Sequence, residues 1–161
     1  MISKDNKLIL NGVLIFSILS LSVAYFIQYA LGHMPCNLCL IERIPYIVSV
    51  ILISLIFMIN RFEKITFIIM LLFFIFGAIV SLYHFGIEQG FFNESLVCDL
   101  ESNANLSKEQ LLKQLEGSLI VSCKDVTFRV LGFSLATINT IISLILSAIM
   151  IKVIKNYGKD K

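Results

Sequence analysis

Three segments of this chain run for more than 20 residues without Asp, Glu, Lys or Arg, and they limit what the chain can fold into. They comprise residues 8–31, 65–85 and 130–151. About 20 apolar residues in a helix cross the roughly 30 Å hydrocarbon layer of a bilayer. A fourth uncharged segment, residues 44–59, is shorter. It also spans if the polar residues before it begin the helix or if the bilayer thins locally, and a re-entrant or interfacial helix is the alternative.

The composition agrees with a membrane protein. Of 161 residues, 58% are hydrophobic and 15% are charged, and the mean hydropathy is +0.91. A backbone in lipid must satisfy its own hydrogen bonds, which favours helices over open strands. The first segment is longer than the apolar core of a signal peptide, and no A-x-A-like site follows it, so we expect it to remain as a helix. The sequence therefore predicts an all-α membrane protein with one domain, residues 1–161, forming a four-helix transmembrane bundle. The predicted spans are about 8–31, 40–59, 65–86 and 130–152, and the predicted extracytoplasmic loops are 32–39 and 87–129.

Basic residues predict the orientation, because cytoplasmic loops are enriched in Lys and Arg. The two ends of the chain and the loop 60–64 contain eight basic residues, against five on the other side, which are Arg43 at the start of the second span and four in the loop 87–129. Both termini are therefore predicted to be cytoplasmic. The net charge of +2 reflects this sidedness, and we expect no nucleic-acid partner.

All four cysteines lie in the two loops that this topology places on one side of the membrane. Cys36 and Cys39 form a C-x-x-C motif, while Cys98 and Cys123 are separated by 24 residues. Four cysteines allow three pairings, and local spacing favours Cys36 with Cys39. A C-x-x-C pair is typically redox-active or metal-bound, whereas the second pair is equally consistent with a structural staple. The C-x24-C spacing is unlike that of ribbon-type zinc sites, so no metal is predicted.

The residues after the C-x-x-C motif favour a reactive thiol. Asn37 is a plausible N-cap, which would place Cys39 in the first turn of a helix, near the positive end of the helix dipole. Arg43 would follow on the same face, and both features favour a thiolate. Alternatively, Arg43 is a snorkelling membrane anchor with Glu42 as its partner. Pro45 would either kink this helix or mark its true start.

The long loop between the third and fourth spans contains a helix signal. Residues 107–110 read S-x-x-Q, a capping box, and leucines follow at helical spacing at positions 111, 112, 115 and 119. We expect a short amphipathic helix on the membrane surface or against the bundle. Within the fourth span, Asn139 is predicted to hydrogen-bond between helices, with ligand contact as the alternative.

The motif PCNLCLIER, the later segment YHFGIEQG and the cysteine pair between the third and fourth spans together resemble the DsbB family of membrane quinone reductases. The pattern C-x-L-C-x-x-x-R in that position is a specific part of this resemblance. The segment FRVLGFSLATIN is similar to the family's opening to its last helix, although a tryptophan common there is absent.

The resemblance implies a role for each cysteine. Cys98 and Cys123 would form the loop disulfide that oxidises a periplasmic DsbA-like thiol oxidase, with Cys98 as the sulfur attacked. The electrons would pass to Cys36 and Cys39, and Cys39 would reduce a bound quinone, either ubiquinone or menaquinone.

Two further residues are implied to bind the quinone. Arg43 would hold it, and His84 would lie near it, although His84 could instead cap the end of the third helix. The expected function is a quinone-dependent protein-disulfide oxidoreductase of the bacterial inner membrane, with its cysteine loops in the periplasm. The alternatives are a relay with the reverse electron flow and a structural or metal-binding four-helix protein with non-catalytic cysteines.

Overall fold

A computed structural model describes residues 4–59, 63–93, 123, 129–130 and 132–159 of the chain. Its elements, in chain order, are α1 (Lys4–Tyr29), α2 (Asn37–Ile41), α3 (Ile44–Ile59), α4 (Glu63–Glu88), β1 (Arg129–Val130), β2 (Phe133–Ser134) and α5 (Leu135–Lys159). Within these residues, four helical segments are long and apolar enough to span a bilayer, and α2 with α3 together form the second of them, Asn37–Met58. The predicted all-α bundle of four transmembrane helices is confirmed. The expected loop helix at 107–119 lies outside the described residues.

The helices expose apolar side chains outward and bury others against each other. Leu72 and Ile79 of α4 are 60% and 62% exposed, and α1 and α5 likewise present exposed Ile and Leu side chains. Such an apolar exterior is what a lipid-facing surface requires. The interior is a continuous apolar core formed by Leu10, Val13, Tyr46, Ile53, Ile56, Phe67, Met70, Phe74, Leu146, Met150 and Val153.

Helix α4 packs most extensively on α5, while α3 packs on both α1 and α4. Gly77 of α4 lies where this packing is closest. A Cβ atom at Gly77 would lie 2.9 Å from Cγ of Pro45 and 3.5 Å from the Ser143 hydroxyl. Small residues at such positions let membrane helices approach closely. Gly77 therefore sets how near α4 can come to the start of α3.

The second span is broken at Glu42 and Arg43, which form a turn between α2 and α3. Proline lacks the N–H that would bond to the carbonyl of Ile41, four residues earlier, so a continuous helix would lose that hydrogen bond and be kinked or broken at this point. The Arg43 N–H bonds to the Leu40 carbonyl at 3.2 Å, which closes the turn, and α3 then starts at Ile44. The sequence predicts that Pro45 either kinks the helix or marks its true start. The structure shows the second outcome, since Pro45 lies in the first turn of α3.

Strands β1 and β2 pair as a small antiparallel hairpin where the first turns of the last helix are predicted. Arg129 pairs with Ser134 and Val130 with Phe133, and Gly132 has a φ of 87°, which suits glycine in the turn. The Ser134 hydroxyl accepts a hydrogen bond from the Thr137 N–H at 3.2 Å, as an N-cap does. The last helix consequently starts at Leu135, later than the predicted 130, because hydropathy alone does not register a cap.

We expect Gly77→Ala to destabilise the bundle, because the added methyl group would overlap the Pro45 ring. Overpacking of this kind typically removes about 1–3 kcal/mol from the free energy of unfolding. Thermal unfolding of the purified protein in detergent measures the effect. Gly12→Ala is the matched control, since no described heavy atom lies within 4 Å of a Cβ placed there. Equal melting temperatures for the two variants would contradict the assigned contact.

Candidate active site

Cys36 and Cys39 lie at the start of α2 with their sulfur atoms in contact. Cys36 is the N-cap residue, and its Sγ accepts a hydrogen bond from the Cys39 backbone N–H at 3.3 Å. The two Sγ atoms are 2.7 Å apart, and both residues are free thiols. The prediction of Asn37 as the N-cap is thus wrong by one residue, because the sulfur of Cys36 occupies the capping position.

His84 of α4 lies directly against this pair. Its Nε2 is 3.6 Å from Sγ of Cys36, and its Nδ1 is 2.8 Å from Oε1 of Glu42. His84 is 3% exposed and Glu42 is 8% exposed. Since Nδ1 is engaged by a carboxylate, the imidazole is fixed with Nε2 directed at the thiol. His84 is thereby part of the dithiol site and does not act as a simple cap of α4.

The Glu42 carboxylate continues the network into the last helix. Its Oε2 accepts a hydrogen bond from Nδ2 of Asn139 at 2.8 Å, and the Tyr46 hydroxyl donates to Oδ1 of Asn139. Asn139 therefore bonds between helices, as the sequence predicts. The chain of contacts from Cys36 through His84, Glu42 and Asn139 connects α2, α4 and α5.

The surroundings of Cys36 favour its thiolate. The pKa of Cys36 is lowered from 9.0 to about 5, mainly by the hydrogen bond from the Cys39 thiol and further by His84, although burial acts in the opposite direction. The sequence predicts the activated thiol at Cys39. The structure instead stabilises charge on Cys36, because Cys36 is the sulfur that accepts the hydrogen bonds.

Arg43 turns away from Glu42 and toward α1. Its Nη1 donates to Oε1 of Gln28 at 2.7 Å, and its guanidinium carbon is 5.1 Å from the centre of the Tyr25 ring. A cation over an aromatic face is stabilised electrostatically. The alternative in which Glu42 pairs with Arg43 is thus wrong, since the two neighbouring residues have partners on different helices.

These groups border one cavity of about 430 Å³ between α1 and α5. Its polar wall includes Cys36, Cys39, Arg43 and His84, and its apolar wall comes mainly from α1 and α5. Cys123 also borders it. Of the predicted site residues, the structure therefore places these five together.

Cys123 is disulfide-bonded and 2% exposed. It packs in one apolar cluster with Cys36, Leu38 and Ile87. The other loop cysteine, Cys98, lies outside the described residues. The contact brings Cys123 to the C-x-x-C motif at the same end of the bundle.

A multi-pass membrane protein with a buried C-x-x-C dithiol at one end of its bundle belongs to the class of disulfide-forming membrane proteins. The sequence model of the disulfide bond formation protein DsbB matches residues 6–153, and the chain belongs to the DsbB family. The chain is also similar to an uncharacterized protein of Rickettsia prowazekii (strain Madrid E), with 31% identity over 148 residues that cover 90% of this chain and 86% of that protein. No solved structure matches the chain significantly.

Sequence reasoning missed the part that Glu42 plays in the site. It treated Glu42 as a partner of Arg43, whereas the carboxylate joins His84 and Asn139. A signal was available, because an ionisable residue within a membrane span usually marks a functional site and faces the bundle interior.

We expect the reduced protein to contain a thiolate that titrates near pH 5. The Cys36 proton is absent above that pH and returns below it, since its pKa lies at about 5. The ultraviolet absorbance of thiolate, followed against pH, measures this transition. Cys36→Ser should remove it and His84→Ala should move its midpoint upward. A midpoint that His84→Ala leaves unchanged would contradict the assigned role of His84.

Proposed function

We propose that this protein is a thiol oxidase that reoxidises a periplasmic thioredoxin-fold partner of the DsbA type and passes the electrons through its two cysteine pairs to a membrane quinone. The observation that supports this most directly is the shared cavity, because Cys36, Cys39 and Cys123 border it together with Arg43 and His84. Family membership supports the disulfide-forming activity. The order of transfer and the acceptor are the proposed part.

The cavity suits a quinone. Ligand sites of about 300–1,000 Å³ are mostly apolar with a few polar groups that fix orientation, and this cavity of about 430 Å³ has that character. Arg43 is the group that would hold a carbonyl oxygen of the ring, and His84 would lie near the quinone. When bound, the quinone accepts the two electrons and two protons that are released as the dithiol becomes a disulfide.

The cavity also has room for an isoprenoid tail. A second, largely apolar cavity of about 400 Å³ shares Phe16 and Ile142 with the first and continues along α1 and α5 past Gly12 and Ile149. Together the two cavities follow the α1 and α5 faces from the dithiol into the bundle's membrane-spanning region. A polyprenyl chain is apolar and would bury its surface there.

The proposed transfer conserves electrons at each exchange. The partner's dithiol becomes a disulfide as the Cys98–Cys123 disulfide is reduced to two thiols. These two thiols then reduce a Cys36–Cys39 disulfide, and the resulting pair loses two electrons and two protons to the acceptor. His84 is placed to hold a proton beside Cys36, while Glu42 keeps the ring in position.

The energetics favour an acceptor such as a quinone. A DsbA-type partner has a reduction potential of about −120 mV, and each 30 mV corresponds to about 1.4 kcal/mol for two electrons. Reoxidising so strong an oxidant requires an acceptor of higher potential. The basic residues predict cytoplasmic termini, so the dithiol end would face the periplasm of a bacterial inner membrane, where disulfides persist.

We expect the purified protein to oxidise a reduced thioredoxin-fold partner when a soluble quinone is supplied, and Cys39→Ala to abolish this turnover. Quinone absorbance and the partner's thiol content are measured in the same reaction. Leu40→Ala is the matched control, because Leu40 is the next residue of α2 and is exposed. Oxidation by the Cys39→Ala variant at the unaltered rate would contradict the relay. Absence of quinone reduction by the unaltered protein would indicate structural cysteines.

We expect Arg43→Gln to raise the KM for quinone about tenfold or more with a smaller effect on kcat, because a hydrogen bond to a charged group contributes about 1.5–3 kcal/mol. Steady-state rates at varied quinone concentration measure both constants. Lys64→Gln removes an exposed charge at the other end of α4 and should leave both constants unchanged. An unchanged KM in the Arg43→Gln variant would show that Arg43 serves only as a membrane anchor.

A further inference from the structure

The reduced site brings together three side chains that bind soft metal ions. Sγ of Cys36, Sγ of Cys39 and Nε2 of His84 all lie within 4.8 Å of one another. Thiolate and imidazole are the preferred ligands of Zn²⁺. The two cysteines come from α2 and the histidine from α4, so only the folded bundle assembles this set.

We propose that the reduced protein binds one Zn²⁺ ion through Cys36, Cys39 and His84, with the carboxylate of Glu88 as the fourth ligand. This site goes beyond thiol oxidation and requires neither quinone nor partner. Bound Zn²⁺ would make the ability of Cys36 and Cys39 to form a disulfide depend on the metal.

The interatomic distances are close to those that zinc needs. With Zn–S near 2.3 Å and Zn–N near 2.0–2.1 Å, tetrahedral ligands lie about 3.5–3.8 Å apart. The Cys36 Sγ to His84 Nε2 distance of 3.6 Å already satisfies this. The two sulfurs, 2.7 Å apart, would need to separate by about 1 Å, which requires a side-chain rotation of the half-buried Cys39.

Glu42 places His84 in the orientation of a metal ligand. A zinc-binding histidine usually donates its other ring N–H to a carboxylate, which fixes the tautomer and makes the ligating nitrogen more basic. Nδ1 of His84 is 2.8 Å from Oε1 of Glu42. Nε2 is consequently the nitrogen that faces the sulfurs, and Glu42 acts as a positioning residue.

Glu88 supplies a fourth donor from the same helix as His84. It follows His84 by one helical turn, and its Oε1 is 3.7 Å from Nε2 of His84. Its side chain is 6% exposed, and within the described part of the chain its Oε2 has no hydrogen-bond partner. A buried carboxylate oxygen that lacks a partner is unfavourable, and a bound cation would satisfy it.

Metal binding would hold the pair in its reduced state. Coordination takes up both sulfurs, so neither is free to form the Cys36–Cys39 disulfide. In terms of the proposed function, on which this consequence rests, Zn²⁺ would stop turnover at the dithiol. The binding itself rests only on the geometry of the four side chains.

The test uses the full chain with Cys98→Ala and Cys123→Ala, purified in detergent through a tag without histidine and reduced. These substitutions leave only the Cys36 and Cys39 thiols. Zn²⁺ is titrated against a chromophoric chelator to obtain stoichiometry and affinity, and Co²⁺ serves as the spectroscopic probe of thiolate ligation and geometry. The variants are His84→Ala, Glu88→Gln and Glu42→Gln. His33→Ala is the matched control, since His33 is the other histidine of the chain and borders the same cavity.

We expect one Zn²⁺ per chain and a tetrahedral Co²⁺ spectrum with sulfur-to-cobalt bands. His84→Ala should weaken zinc binding by about 100-fold or more, and loss of the positioning carboxylate in Glu42→Gln by about 10–100-fold, while His33→Ala binds as the parent does. Glu88→Gln should weaken binding and alter the Co²⁺ spectrum. Less than half an equivalent of zinc, or equal affinities for the His84→Ala and His33→Ala variants, would overturn the site. Neither result bears on thiol oxidation, which is measured on the unaltered chain with chelator present.

Discussion

The buried carboxylate of Glu42 is the constraint on which the site depends. Removing a carboxylate from water costs several kcal/mol unless its oxygens find good partners. Each oxygen of Glu42 has one: His84 on α4 for Oε1 and Asn139 on α5 for Oε2. These partners fix the junction of α2 and α3 against two other helices. Cys36 is positioned through the same contacts, because its sulfur lies against His84.

The break before Pro45 explains how the adjacent residues Glu42 and Arg43 contact different helices. In an unbroken helix, Glu42 and Arg43 would lie about 100° apart on one surface. The turn instead directs Glu42 into the bundle, while Arg43 reaches Gln28 and Tyr25 on α1. Gly77 admits the Pro45 ring between the helices. Gly77 has no side chain and Pro45 has no N–H. Together they permit the break between α2 and α3 and the close approach of α4 to the start of α3.

The sequence predicts the bundle well because a helix that crosses a bilayer needs a long segment without charged residues. Its errors lie where one side chain overrides hydropathy, as with the Ser134 cap that delays the last helix to Leu135. Spacing also identifies Cys36 and Cys39 as a pair. The contact between Cys36 and His84 joins residues 48 positions apart, so it depends on how α2 packs on α4, which no local pattern specifies. The partners of Glu42 are hidden for the same reason, although its charge within a membrane span marks it as a candidate functional residue.

The asymmetry of the two thiols has a consequence for the proposed relay. Cys36 is 5% exposed and packs beside Cys123, whereas Cys39 is half-buried. Thiol–disulfide exchange requires a thiolate to approach a disulfide sulfur directly. Cys36, which packs beside Cys123, is therefore the better placed of the two for exchange with the loop pair. Cys39, with Arg43 on the wall of the same cavity, is then left to face the acceptor. Exchange with the loop and reduction of the acceptor would thus involve different sulfurs, so the two reactions need not compete for one atom.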